Sequence, residues 1–246
     1  MKSISVILPY YRKKKFINKT IKSILNQTYN INELLIIYDD ENKNELKNLM
    51  NIKKNNKKIK ILVNKKNIGA GESRNKAIKV AKGDYIAFLD ADDIWKKNKL
   101  ERQIFFMIKN NHKISHTSYK IIDEQNKVIG KRIAKNLNFK DLIKSCDIGL
   151  STVIIKKQII KKFKFANLKT KEDYVLWLKL AQQGHIFFGL DEYLTYWKLT
   201  KDSLSSSIIR KFIDGYKVYR YYLKKGMITS FLSLINLSIN YLKKNG

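Results

Sequence analysis

Apolar positions in the first hundred residues alternate between two periods. Residues 4–8 form a short continuous apolar run ending at Pro9, the pattern of a strand buried on both faces. Ile17, Ile21, Ile24 and Leu25 follow at helical spacing. Residues 34–38 form a second strand-like run, followed by a polar, helix-compatible stretch carrying Leu46, Leu49 and Met50. Residues 59–63 read as a third strand, 70–81 as a helix with Gly83 just beyond it, and 85–89 as a fourth strand. Strands alternating with helices predict βαβ units, right-handed crossovers and a mainly parallel sheet.

The pattern then changes. Residues 116–122 and 127–133 flank Asp123-Glu124-Gln125-Asn126, which reads as a hairpin. Residues 152–155 are strand-like, 172–183 helical up to Gly184, and 186–190 and 193–197 strand-like again. From about residue 207 the chain reads as helix in two pieces, broken near Gly226. The expected class is α/β: a mixed, mainly parallel, Rossmann-like sheet flanked by helices over residues 1–205, with a helical C-terminal extension over 206–246.

Ligands of open parallel sheets bind beyond the carboxyl ends of the strands. Three polar clusters fall at such ends: Pro9-Tyr10-Tyr11-Arg12, Asp39-Asp40-Glu41-Asn42 and Asp90-Ala91-Asp92-Asp93. Two carboxylates from Asp-x-Asp on one rim suit Mn²⁺ or Mg²⁺, hard cations that bridge to substrate phosphates. The same residues also read as a cap, with Asp92 or Asp93 starting a helix near Ile94. Asp39 at a strand end suits a nucleobase N–H or a ribose hydroxyl, or simply a turn. Asn67-Ile68-Gly69 leads through Ser73-Arg74-Asn75 into a helix, where backbone N–H groups and Arg74 can face an anion. Glu172-Asp173 opens another helix. Two acids there are favoured by the helix dipole alone, and a carboxylate there can also deprotonate an acceptor hydroxyl.

Charge narrows the choice of partner. Fifty-one Lys and Arg oppose 21 Asp and Glu across 246 residues, a net charge of +30. Such a surface attracts nucleic acid, anionic lipid and phosphate-bearing substrates. The lysines are spread along a chain rich in Lys, Asn and Ile, so a compositional bias accounts for them as readily. No nucleic-acid module is visible, and no nucleic-acid partner is expected. The single cysteine, Cys146, excludes an internal disulfide and a Cys-rich metal site. The N-terminus lacks a signal-peptide pattern, and no long uncharged apolar run is present. The expected compartment is the cytoplasm, including the inner face of the cell membrane.

With these clusters in order, the chain resembles a family 2 glycosyltransferase with the GT-A fold. The resemblance rests on Val6-Ile7-Leu8-Pro9-Tyr10-Tyr11, Ser23-Ile24-Leu25-Asn26-Gln27-Thr28-Tyr29, Asp39-Asp40, Asn67-Ile68-Gly69 with Ser73-Arg74-Asn75, the run from Ala81 to Asp93, and Glu172-Asp173. Thr117-Ser118-Tyr119, Ile122-Asp123-Glu124, Ile148-Gly149 and Leu176-Trp177-Leu178 are similar to the branch that builds teichuronic acid, capsule and related surface glycans. The resemblance implies an inverting enzyme that moves a sugar from a nucleotide-sugar donor, with UDP the expected carrier. The acceptor would be a hydroxyl of a surface polysaccharide or a lipid-linked glycan.

The resemblance also implies roles. Pro9 and Tyr11 would line the nucleotide pocket, Asp39 would bind the base, and Arg74 would contact the nucleotide beside Asn67 and Gly69. Asp90 would lie near the ribose, Asp92 would hold Mn²⁺ or Mg²⁺ on the diphosphate, and Asp173 would be the general base. Glu172, Trp95, Trp177 and Lys198 are further candidates for donor or acceptor contacts. Three departures stand out: Glu41-Asn42 where the family usually has Gly-Ser, Arg12 where Asn is common, and Lys198-Leu199-Thr200-Lys201-Asp202-Ser203 where a His-containing segment is frequent. Lys198 or Lys201 would supply the charge there.

The last helix carries Ile228, Phe231, Leu232, Ile235, Leu237, Ile239 and Leu242, with Lys243 and Lys244 after it. Packing on the domain is the favoured expectation, since Asn and Ser interrupt both faces. A homodimer contact and an interfacial helix on an anionic membrane are the other two. Two other functions remain open: a nucleotidyltransferase acting on sugar phosphates and a basic nucleic-acid-binding protein. The first would need an early Gly-rich phosphate loop. Lys13, Lys14 and Lys15 are basic, but no glycine occurs before Gly69.

Overall fold

The computed structural model describes residues 2–200 and 208–243, so Lys201 and Lys244 lie outside the described residues. Four parallel strands form one half of a single sheet in the order β3-β2-β1-β4: β1 (Ile4–Tyr10), β2 (Glu33–Tyr38), β3 (Ile59–Val63) and β4 (Tyr85–Phe88). The crossovers are α1 (Lys14–Leu25), α2 (Lys43–Lys54) and α3 (Gly69–Val80).

The period-2 alternation of these strands sorts their side chains onto two faces. Ile7, Leu35, Ile37, Ile86 and Phe88 face α3 and α7 (Glu172–Gln182), meeting Ala77, Ile78, Leu176 and Leu178. Val6, Leu8, Leu34, Ile36 and Ala87 face α1 and α4 (Lys99–Lys109), meeting Ile17, Ile21, Ile24, Leu100 and Ile104. All six residues of β2 are buried. Each fully buried Leu or Ile stabilises the fold by about 1.5–3 kcal/mol, so helices on both faces hold this half rigid.

Beyond β4 the sheet becomes mixed. β8 (Ile154–Lys156) runs antiparallel to β4 and to β6 (Ile114–Ile122), and β9 (Phe188–Lys198) runs parallel to β6. β5 (Ile94–Trp95) is antiparallel on β9, and β7 (Val128–Arg132) forms the expected hairpin with β6. Two short helices, α5 (Phe139–Leu142) and α6 (Lys157–Ile160), connect this half.

Two sequence expectations need correction. No helix starts near Ile94, because Ile94 pairs with Tyr196 as a strand, and α4 begins only at Lys99. Residues 186–190 and 193–197 are not two strands. β9 is continuous, and the break at Asp191 is a register shift opposite Ser118, whose hydroxyl donates to Asp191 at 2.7 Å.

At the C-terminus, α8 (Ile208–Lys217) passes through a π-type turn at Val218–Tyr222 into α9 (Met227–Lys243). Val218, Tyr219, Leu234 and Leu237 join the core on the α7 face. Asp214 in α8 accepts from Thr170 N–H at 3.1 Å and from its hydroxyl at 2.9 Å. Among the described residues, no helix is long and apolar enough to cross a membrane.

Candidate active site

The carboxyl ends of β1, β2 and β4 bring their polar clusters to one rim, and α3 joins them. Asp39, at the end of β2, is 3% exposed. It accepts from Gly69 N–H at 2.8 Å, Ile68 N–H at 2.9 Å and Asn64 Nδ2 at 2.7 Å, while Asn67 Nδ2 donates to its carbonyl at 3.0 Å. Asp39 therefore shapes the Asn67–Gly69 loop, with Gly69 in the left-handed region at φ 83°. Five residues on, roughly 7.5 Å along the helix axis, Arg74 reaches the next cluster. It is 2% exposed and donates to Asp90 at 2.6 Å and Glu172 at 2.7 Å. One guanidinium thus ties the end of β4 to the start of α7, 98 residues away in sequence.

This contact needs close approach of α3 to the segment before α7. A Cβ on Gly71 would lie 2.8 Å from the Ala166 carbonyl and 3.3 Å from Glu172 Cγ. Lys171, just before α7, is held at φ 61°, a conformation that costs a non-glycine residue energy and persists only where its surroundings enforce it. Asp173 follows on the first turn. Burial is the main reason its carboxyl rises from 3.8 to about 7; the charge of Glu172 adds to the rise and Arg74 opposes it. It accepts a hydrogen bond from the adjacent Tyr174 N–H at 2.7 Å. A carboxylate with that poise suits proton abstraction near neutral pH.

The Asp90–Asp93 cluster divides its roles. Asp93 is fully buried. It accepts from Ser151 Oγ at 2.5 Å and Lys198 N–H at 2.8 Å, and burial followed by the charges of Asp92 and Asp90 raises its carboxyl well above the usual range. It is a structural hub and not a helix cap. Ser151 accepts from Asp90 N–H at 3.1 Å, so this hydroxyl orients the β4 end. Asp92 pairs with Lys13 Nζ at 2.7 Å. Burial pushes its carboxyl up, and Lys13 opposes that. Asp92 opens onto a cleft of about 190 Å³ lined also by Lys15, Phe16, Lys19, Glu124 and Lys198.

The described residues contain no group of three or more His, Cys, Asp or Glu side chains placed to hold a metal. One or two carboxylates completed by substrate phosphates are the ordinary arrangement for Mg²⁺, so Asp92 with Asp90 beside it fits a cation that arrives with a diphosphate. A single lysine now balances Asp92, consistent with a position that takes positive charge.

The other residues expected at the site differ in how the fold holds them. Pro9 is half-buried at the rim and Tyr11 is 38% exposed, with Arg12 5.0 Å above its ring. Trp177 is 0% exposed and meets Phe165 and Phe187 edge-on, within the core. Trp95 is 3% exposed, and its indole N–H donates to the Ser151 carbonyl at 2.7 Å, making it a wall that positions Ser151. Lys198 Nζ is turned to the hairpin, donating to Asn126 at 2.7 Å and to the Asp123 carbonyl at 3.1 Å. Arg74 is engaged by two carboxylates, Asp90 and Glu172.

Lys13, Asn64 and Ser151 were not singled out as site residues. Asn64 ends β3 and bonds both Asp39 and Ser73, so its strand-end position was an available signal. Ser151 had none, because only the pairing of β8 with β4 brings it to Asp90. The departures also find reasons. Asn42 caps α2, accepting from Asn44 and Glu45 N–H groups, and Arg12 sits at φ 49°, a conformation Asn tolerates better.

Comparison with known proteins agrees with this architecture. The family model for glycosyl transferase family 2 matches residues 5–169, ending just short of Glu172-Asp173. A UDP-Glc:alpha-D-GlcNAc-diphosphoundecaprenol beta-1,3-glucosyltransferase of Escherichia coli, WfgD, is 37% identical over 206 residues, covering 83% of this chain and 80% of its own. The crystal structure of S. aureus TarS 1–349 with UDP-GlcNAc superposes with a TM-score of 0.73 at 19% identity, over 94% of this chain and 70% of that 1–349 chain. The mannosyltransferase PcManGT from Pyrobaculum calidifontis, in complex with GDP-Man and Mn²⁺, superposes with a TM-score of 0.70 at 13% identity, over 95% of this chain and 70% of that one. The fold is therefore the GT-A fold, and the chain belongs to glycosyl transferase family 2.

Proposed function

We propose that this glycosyltransferase moves a sugar from a UDP-sugar to a hydroxyl of a lipid-linked glycan, with inversion and with a divalent cation. The observation that carries the reading is the α3 bridge. Asp39 is bonded at its first residue and Asp90 and Glu172 at Arg74, so the strand-end carboxylates and Asp173 share one rim. The WfgD similarity supports the UDP donor and the lipid-linked acceptor, and the PcManGT likeness supports Mn²⁺.

In this reading Pro9, Tyr11 and the loop held by Asp39 seat the nucleoside. Asp92, with Asp90, would hold Mn²⁺ or Mg²⁺, which would supply positive charge to the departing diphosphate. Lys13, Lys15 and Lys19 add to that field. Asp173 takes the proton of the acceptor hydroxyl as its oxygen attacks the anomeric carbon, and the bond from that carbon to the diphosphate oxygen breaks. A raised carboxyl suits this step, and direct displacement needs no protein nucleophile.

The test is a panel of nucleotide sugars with Mn²⁺ or Mg²⁺ and a diphosphate-linked glycan acceptor, scored for transfer and for the anomer formed. Asp92→Ala is expected to abolish metal-dependent donor binding. Failure of every activated sugar with metal would overturn the reading.

A further inference from the structure

The C-terminal helices carry two apolar arcs, of which only one is used in the fold. On α9, Ser230, Leu234 and Leu237 are buried. Ile228, Phe231, Leu232, Ile235 and Ile239 are exposed, by 77%, 56% and 58% for the first three. At about 100° per residue these five occupy one arc beside the packed one. Thr229, Ser233, Asn236 and Asn240 fall on the remaining side, and Asn240 bonds the Lys144 carbonyl at 2.9 Å. On α8, Ile209 is 76% exposed, with Phe212 and Ile213 about half exposed, while Asp214 turns inward to Thr170.

The two helices cross where a Cβ on Gly215 would meet Leu234 Cδ1 at 2.7 Å. From that contact, the helical spacing turns both exposed arcs to the same side of the pair. Eight large apolar side chains thus form one outward face on a chain with a net charge of +30. Scattered surface hydrophobics are ordinary, but a contiguous face of this kind marks an interaction surface.

Charge decides the occupant. Between residues 208 and 243 the sequence has Arg210, Lys211, Lys217, Arg220, Lys224, Lys225 and Lys243 against one acid, Asp214, which is buried. Tyr221, 66% exposed, adds an aromatic of the kind that favours the membrane–water boundary. A second copy of the chain, also at +30 overall, would be repelled by the first, whereas an anionic lipid surface matches both the charge and the apolar arc.

We propose that the outward face of α8 and α9 beds into the headgroup region of an anionic membrane, lying on it without crossing it. Held this way, the enzyme works in the plane where a lipid-linked acceptor resides. The docking does not depend on the glycosyltransferase reading, because the test uses neither donor nor acceptor.

The test is sedimentation of the full chain with phosphatidylcholine vesicles, with and without phosphatidylglycerol, for the wild type and for Ile228→Ser/Phe231→Ser. Both positions are exposed, so the variant should keep the wild-type melting temperature. The expected result is binding that needs phosphatidylglycerol and weakens about tenfold in the variant, with a monomeric wild type by light scattering. The proposal is overturned if the variant binds as well as the wild type, since charge alone would then recruit the chain. Equal binding to neutral vesicles overturns it too. So does a wild-type dimer that the same substitutions convert to monomer, which would make this face a subunit contact. Single substitutions at Leu232 and Ile235 repeat the comparison if the double variant melts early.

Discussion

Asp39 and Asp173 stand on the same rim in opposite surroundings. Asp39 closes a parallel strand and receives two backbone amides and an asparagine, so its charge is met by donors the fold supplies. Asp173 opens a helix after a left-handed lysine, next to another carboxylate, and burial raises its carboxyl to about 7. The parallel half holds a loop still, and the start of α7 carries a carboxyl raised by burial to about 7. Arg74 connects the two halves.

The largest effect that tests this contrast is Asp173→Asn. Transfer should fall by about a thousandfold, roughly 4 kcal/mol in the barrier, while donor affinity measured by calorimetry stays near wild type. Full-rate transfer by this variant would remove the base assignment. Its stability should move the other way. A carboxyl raised from 3.8 to about 7 contributes stability below about pH 4 that is lost as pH rises through 7. At pH 8 the variant should therefore be more stable than wild type by on the order of 2 kcal/mol, read from urea unfolding.

Next is Arg74→Leu, which strands Asp90 and Glu172 against each other. A cost of about 3 kcal/mol is expected, with the unfolding midpoint as the measurement. A cost near zero would mean that the bridge does not couple the halves. Asp39→Ala leaves the Ile68 and Gly69 amides without their acceptor and should cost about 2 kcal/mol. It should also raise the KM for donor more than it lowers kcat, the reverse of Asp173→Asn. In pH dependence, kcat/KM should rise about tenfold per unit and level off above about pH 7, since Asp173 must be ionised to take a proton. The smallest effect is Arg12→Asn. Relief of a left-handed arginine should stabilise the chain by about 0.5–1 kcal/mol, with the loop's bond from residue 12 N–H to Asp40, now 2.8 Å, retained.

These contrasts also show where sequence reading works. The βαβ order, the three strand-end clusters and the hairpin were legible because each depends on local periodicity and on the rule that parallel strands deliver ligand residues at their carboxyl ends. The same patterns led to a helix at Ile94, and the contact roles that the resemblance implied for Trp95 and Trp177 fall on side chains that are 3% and 0% exposed. Nothing local distinguishes an aspartate that caps a helix from one that accepts Ser151 and Lys198 across the sheet, or a tryptophan in a cleft from one in a core.

By itself, then, the sequence determined the order of elements, the family motifs and the residue types on the rim. The tertiary structure decided which aspartate is bonded by the loop's amides, which one is buried beside another carboxylate, and that Arg74 ties Asp90 to Glu172. The reason is range: strand and helix periods are set by neighbours a few residues apart, whereas the poise of Asp173 depends on burial and on Glu172 and Arg74, and Arg74 reaches Glu172 across 98 residues through a close approach at Gly71.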